Sequence, residues 1–157
     1  MPNATETLDT YWDGKLPVDV KKIATSMGIR VSPNMGMNES GVIQISNGLP
    51  AIKYNANEAL VRQRFTIAHE IGHFALGHLE GASKMFRDPA SNFSSGANKP
   101  EEREANVFAA RLLMPAKVVR YAVNEKKIRN IERLADVFGV SQVAMKHRLI
   151  NLGMVSG

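Results

Sequence analysis

His69-Glu70-Ile71-Gly72-His73 sets two imidazoles four residues apart with a carboxylate next to the first. On a helix, four residues advance by about 400°, so the two rings fall one turn apart on one face and can share one ion. Glu70 then stands about 100° round from His69, beside that ion rather than beneath it. There it can accept a proton from a water whose pKa a zinc ion lowers to roughly 7. The pattern predicts metal-assisted hydrolysis, with Zn2+ as cofactor, His69 and His73 as ligands and Glu70 as general base. Chance is a poor explanation for it, because three of the four histidines, His69, His73 and His78, lie within ten residues.

A zinc site that does chemistry needs a third protein ligand and an open position. His78 is nearest, but its register is wrong: in the elongated zinc-protease motif the last histidine follows the second by six residues, and His78 follows His73 by only five. On a continuing helix it would point about 140° away from His73, so it is assigned to a helix end or the rim of the cleft. The other source is Glu-Glu-Arg-Glu-Ala-Asn at 101 to 106, where Glu101, Glu102 and Glu104 are all chemically suitable. A helix presenting Glu102 to the metal brings Asn106 one turn along the same face, able to orient a ligand histidine by a hydrogen bond. Glu104 lies about 200° from Glu102 and cannot share that role. Acids also favour a helix N-terminus for electrostatic reasons alone. Tyr54, Arg62, His78 and Tyr121 are equal candidates for stabilising an oxyanion.

These residues need helices to carry them. Asn57 can cap a helix through NEALVRQRFTIAHEIGHFAL, whose Leu60, Phe65, Ile67, Ala68, Ile71 and Ala75 give a broad apolar surface and a central place in the fold. Pro100 suits the first turn of a second helix, PEEREANVFAARLLM, and Pro115 marks its end. Shorter helices are expected after it. Upstream, residues 17 to 27 read as an amphipathic helix closed by Gly28, and IRV (29 to 31), GVIQIS (41 to 46) and PAIKYN (50 to 55) as a small antiparallel sheet. Glu80 to Lys99, rich in Ser, Gly, Asn and Pro, reads as a mobile loop bordering the cleft.

The chain has 157 residues, 44% hydrophobic and 22% charged, as expected of one globular domain spanning 1–157. Without cysteine there is no disulfide, thiolate zinc site or thiol nucleophile, so any metal must be held by imidazole and carboxylate. The acidic start of the chain and the lack of any apolar run near the roughly 20 residues that span a bilayer predict a soluble, cytoplasmic protein with no membrane partner. The net charge of +5 favours acidic partners weakly. Much of the excess lies after position 110, at Arg111, Lys117, Arg120, Lys126, Lys127, Arg129, Arg133, Lys146 and Arg148, as a solvated face or a nucleic-acid patch.

Taken together, RQRFTIAHEIGHFALGH and EREANVFAARLLMP resemble the ImmA/IrrE family of metallo-endopeptidases. The match rests on Phe65, Ala68, the His69 to His73 motif, Glu-x-x-Ala-Asn at 102 to 106, Phe108, Ala109 and Leu112 to Pro115. The resemblance implies His69, His73 and Glu102 as metal ligands and Glu70 as the catalytic glutamate, which separates Glu102 from Glu101 and Glu104. It also implies a substrate class, helix-turn-helix repressors or antitoxins, and a role in transcription regulation or toxin-antitoxin pairs. Among its relatives this chain would be a short member, with neither an N-terminal DNA-binding domain nor a large C-terminal sensor domain.

IERLADVFGVSQVAMKHRL, residues 131 to 149 within a C-terminal segment at 130–154, resembles a helix-turn-helix, with Gln142, Lys146 and His147 projecting from its second helix. Arg148 stands where an apolar residue is usual. Packing on the catalytic core, with Lys146 and Arg148 solvated, is favoured over DNA binding. The expected fold is α+β: a zincin-like helix pair with a small antiparallel sheet, then helices. The expected activity is zinc-dependent hydrolysis of a peptide bond in a protein substrate. The alternative is a DNA-binding regulator or toxin-antitoxin component with a non-catalytic metal site, and a closed coordination shell would point to it.

Overall fold

The computed structural model describes residues 1–80, 85–93 and 99–156. Helix α1 (Ala4–Tyr11) was not expected, yet its start is written in the sequence. Asn3 accepts from the Glu6 amide at 2.9 Å and Glu6 accepts from the Asn3 amide at 3.1 Å, a reciprocal capping box. Helix α2 (Val20–Ser26) is capped by Asp19 and followed by Gly28 at φ 84°, so the helix expected over 17 to 27 starts about one turn later than Pro17.

Strands β1 (Arg30–Asn34), β2 (Gly41–Ser46) and β3 (Leu49–Asn55) fall where the β-branched runs place them. A fourth strand, β4 (Met85–Asp88), joins them in the order β1-β3-β2-β4. β2 pairs antiparallel with both β3 and β4, and β1 adds to β3 in parallel, which makes the sheet mixed. Ile43 and Ile52 sit opposite each other, fully buried beneath the central helix α3 (Leu60–Ala75).

α3 is capped differently from expectation. It begins at Leu60 after Ala59 without a side-chain cap, and the Asn57 amide donates instead to the Met35 carbonyl at 2.6 Å. Helix α4 (Pro100–Leu113) starts at Pro100 and ends before Pro115, as expected, and packs along α3. Gly72 allows that approach: a Cβ there would meet the Phe108 ring at 3.1 Å. Helices α5 (Ala116–Asn124), α6 (Ile131–Phe138) and α7 (Gln142–Asn151) complete the chain, so the α+β class is as expected.

The segment from Glu80 to Lys99 is not a continuous loop. It carries β4 and a 3-10 turn, Ala90–Phe93, while residues 81–84 and 94–98 lie outside the described residues, as does the mobility expected there. Its Ser, Gly and Pro content masks the strand, which is only four residues long.

α6 and α7 form the turn and helices of the expected helix-turn-helix, with Gly139 in the left-handed region at φ 65°. They are tied to the core from both sides. The Arg64 guanidinium of α3 donates to the Gly139 and Phe138 carbonyls at 3.0 and 3.3 Å. Arg148, expected in solvent, is only 9% exposed and donates through Nε to the Met114 carbonyl at 2.9 Å. That contact explains the polar residue at an apolar position. Burial pushes the Arg148 guanidinium down from its ordinary pKa, and the like charges of Arg111 and Arg120 add to this. Arg148→Ala leaves the Met114 carbonyl without its donor, and urea unfolding of the purified variant is expected to show a loss of about 1.5–3 kcal/mol.

Candidate metal centre

α3 places His69 and His73 one turn apart, both fully buried, with their Nε2 atoms facing the same point. α4 brings the Glu102 carboxylate to that point from its first turn: Oε1 lies 2.9 Å from His69 Nε2 and 3.2 Å from His73 Nε2. β4 brings a residue that the sequence reading missed. Successive side chains on a strand face opposite sides, so Phe86 and Asp88 turn inward while Arg87 turns out to meet Glu39 at 2.9 Å. Asp88 Oδ2 stands 3.3 Å from His73 Nε2 and 3.5 Å from His69 Nε2.

The outer nitrogens fix the tautomers. Asn106 donates through Nδ2 to the Asn92 carbonyl at 2.8 Å, so its Oδ1, 2.8 Å from His69 Nδ1, must accept from that nitrogen. His73 Nδ1 is 2.9 Å from His78 Nδ1, and His78 Nε2 is 2.8 Å from Glu104 Oε1. Because the carboxylate only accepts, His78 donates to Glu104 and accepts from His73. As neutral imidazoles, both rings therefore present a bare Nε2 lone pair to carboxylate oxygens. Acceptors facing acceptors in a buried site need a cation between them.

The separations are of the size a shared metal ion requires. Tetrahedral zinc with bonds of about 2.0–2.2 Å separates its ligand atoms by about 3.3–3.6 Å; the Asp88 oxygen stands 3.3 and 3.5 Å from the two Nε2 atoms, and the Glu102 oxygen somewhat closer, at 3.2 and 2.9 Å. His69, His73, Asp88 and Glu102 offer ligand atoms all within 4.8 Å of one another, and all four residues are buried. Two imidazoles with carboxylates, and no thiolate, form a donor set that zinc accepts.

Burial, outweighed by the His69 and His73 rings, leaves the Asp88 and Glu102 carboxyls below the usual carboxylate range. For His73 burial works downward, but Asp88 and Glu102 reverse it and the ring's pKa rises. Glu70 goes the other way: burial, then the charges of Asp88 and Glu102, push its carboxyl well above the carboxylate range. Neither Glu70 oxygen has a hydrogen-bond partner among the described residues. A Cβ on Gly41, the residue opposite Asp88 in the sheet, would lie 2.7 Å from Glu70 Oε2, so glycine at 41 makes room for that carboxylate.

His78 does stand at a helix end, as expected. α3 stops at Ala75, and Gly77 at φ 78° turns the chain back, so the His78 ring returns to His73 instead of pointing away from it. Glu104, rejected as a ligand on its angle, supports His73 through His78. Glu101 lies on the half-exposed first turn of α4 and takes no part in the cluster. Of the oxyanion candidates, His78 is engaged through both nitrogens. Arg62 lies over the Phe93 ring, which meets the edge of His69. Tyr54 is buried in the core under Lys21, and Tyr121 is exposed on α5 beside Lys126. Phe86 stacks on His73 with ring centroids 4.0 Å apart and completes the apolar wall. Loss of a partner that orients a ligand histidine typically costs 10- to 100-fold in metal affinity. His78→Ala is expected to weaken zinc binding by that factor in a chelator competition, and Glu104→Ala by less.

Residues 24–150 match the family model described as the IrrE N-terminal-like domain, a peptidase family. Over 117 residues the chain is 26% identical to metallopeptidase ImmA of Bacillus subtilis strain 168, covering 74% of this chain and 66% of that protein. A Mycobacterium tuberculosis transcriptional regulator shares the fold with a TM-score of 0.54 at 17% identity, over 83% of this chain and 39% of that one. This chain thus spans about two fifths of that regulator and just under two thirds of ImmA. The family model covers most of the chain, and the chain belongs to that family.

Proposed function

We propose that this member of the IrrE N-terminal-like peptidase family is a zinc-dependent endopeptidase whose metal is held by His69, His73 and Glu102 and whose general base is Glu70. The observation that carries the reading is the convergence of two bare imidazole nitrogens and a buried carboxylate, with the unpartnered Glu70 carboxylate next to them. Zinc held there supplies a Lewis acid that polarises the scissile carbonyl and acidifies water to a pKa of roughly 7. Glu70 takes the proton of the attacking water and passes it to the leaving amine. Burial, with the Asp88 and Glu102 carboxylates beside it, raises the carboxyl well above the usual carboxylate range, the direction that makes it a stronger base. Asn106 and His78 hold the two imidazoles in the metal-binding tautomer, and Phe86 and Phe93 exclude water from their faces.

The substrate in this reading is a protein, a helix-turn-helix repressor or antitoxin, and the chain acts in the cytoplasm. Among the described residues no helix is long and apolar enough to cross a membrane. Incubating the zinc-loaded protein with the regulator encoded beside it, and sequencing the products, tests the activity and its target. Defined fragments that disappear with a chelator are expected.

A second reading is favoured by one feature. α7 exposes Gln142, Val143, Lys146 and His147 together, the face a recognition helix would offer DNA. Against it stand the Arg64 and Arg148 contacts, which make α6 and α7 part of the core. Binding to operator DNA that is abolished by Lys146→Ala, with no cleavage, would establish it in place of the first.

A further inference from the structure

The structure assigns a further ligand to the centre. Building on the metal site proposed above, we infer that Asp88 is a fourth protein ligand that closes the coordination shell in the resting protein. The peptidase is then latent until another oxygen ligand, such as a substrate carbonyl, displaces that carboxylate.

By distance, Asp88 is as much a ligand as Glu102. Its Oδ2 lies 3.3 and 3.5 Å from the two Nε2 atoms, against 3.2 and 2.9 Å for Glu102 Oε1. Its orientation is set from behind: Asn92 Nδ2 donates to Asp88 Oδ1 at 3.0 Å, which leaves Oδ2 aimed into the cluster. Asp88 is 1% exposed, and Oδ2 meets hydrogen-bond geometry with no described residue. A buried carboxylate oxygen in that state is costly unless a cation is its partner. Two imidazoles and two carboxylates make four protein ligands, the number in closed zinc sites, whereas hydrolytic sites keep one position for water or substrate.

Two further features separate a latent enzyme from a structural metal site. Glu70 is fully buried beside the centre, a carboxyl group that a structural site has no use for. Asp88 also comes from the edge strand of the sheet, which pairs with β2 alone, while His69, His73 and Glu102 come from the two central helices. The ligand that must leave is thus on a strand at one edge of the sheet, held by a single neighbouring strand among the described residues. An aspartate oxygen is also a donor of the same kind as water and a peptide carbonyl, so exchange among them requires no change of metal preference.

Cobalt(II) in place of zinc makes the shell visible, and azide is a probe for an open position. Wild-type cobalt protein is expected to show the intense visible bands of a four-coordinate centre and to change little with azide. Asp88→Ala is expected to hold one cobalt per chain, to shift its bands on azide addition, and to bind azide at least about tenfold more tightly than wild type, a difference of roughly 1.4 kcal/mol. Cleavage of the cognate regulator is expected to rise in the same variant. Asp88→Asn, which keeps the side-chain volume, is expected to behave in the same direction and decides the matter if Asp88→Ala does not fold. Equal azide binding by wild type and variant would show that Asp88 is no ligand, and would leave the three-ligand centre standing. Loss of cobalt from Asp88→Asn, as severe as from His73→Ala, would make the site structural and overturn latency. A wild-type protein that binds no cobalt would overturn the metal centre itself and this inference with it.

Discussion

Alanine at His73 is expected to remove metal, activity and stability together. The side chain supplies one of the two bare nitrogens in the cluster, and without it Glu102 and Asp88 keep only His69 opposite them. Taking one partner from a buried ionic cluster costs about 3–5 kcal/mol, because the remaining charge stays buried. Ion binding also contributes to folding, so the loss of zinc adds to that deficit. His69→Ala and Glu102→Ala are expected to give the same result. Glu101→Ala is expected to retain zinc, since it is not among the clustered residues, and Glu104→Ala to retain most of it, since it reaches the site only through His78. Metal analysis and thermal melts of the five proteins check this. A Glu104→Ala protein as poor in zinc as His73→Ala would show that the third ligand is misassigned.

Much of this centre was legible in the sequence because its parts obey helical spacing. His69 and His73 at i, i+4, and Glu102 and Asn106 at i, i+4, are two pairs on two helices whose limits Pro100 and Pro115 mark. The hydrogen bond from His69 to Asn106 is the contact that the second pair implied. Asp88 was not legible, because strand β4 is short, is flanked by turn-forming residues and shows little alternation. One signal did point to it: Asp88 is the only acid between Glu80 and Glu101. His78 reads from the sequence as standing at a helix end, but its contact with His73 does not, because it depends on Gly77 reversing the chain after α3 stops at Ala75. Arg148 was judged by the usual apolar pattern of the motif, and its guanidinium instead serves a carbonyl at the end of α4. Such contacts depend on the tertiary approach of distant segments, which local periodicity does not encode.

Replacing Glu70 by glutamine separates catalysis from metal-dependent folding. The amide keeps the size of the side chain and fits beside Gly41, but it has no carboxylate to take a proton. General-base assistance is typically worth 10²- to 10⁴-fold, and cleavage is expected to fall by that factor. Zinc content and melting temperature are expected to stay near those of wild type, since Glu70 is not one of the four clustered residues. Making the comparison also in the Asp88→Ala background keeps a latent wild type from hiding the effect. The decisive measurement is the rate at which zinc-loaded Glu70→Gln cleaves the cognate regulator, taken with its zinc content. The account predicts one zinc per chain and a rate lower by at least about 10²-fold. Full zinc with cleavage at the wild-type rate would contradict it.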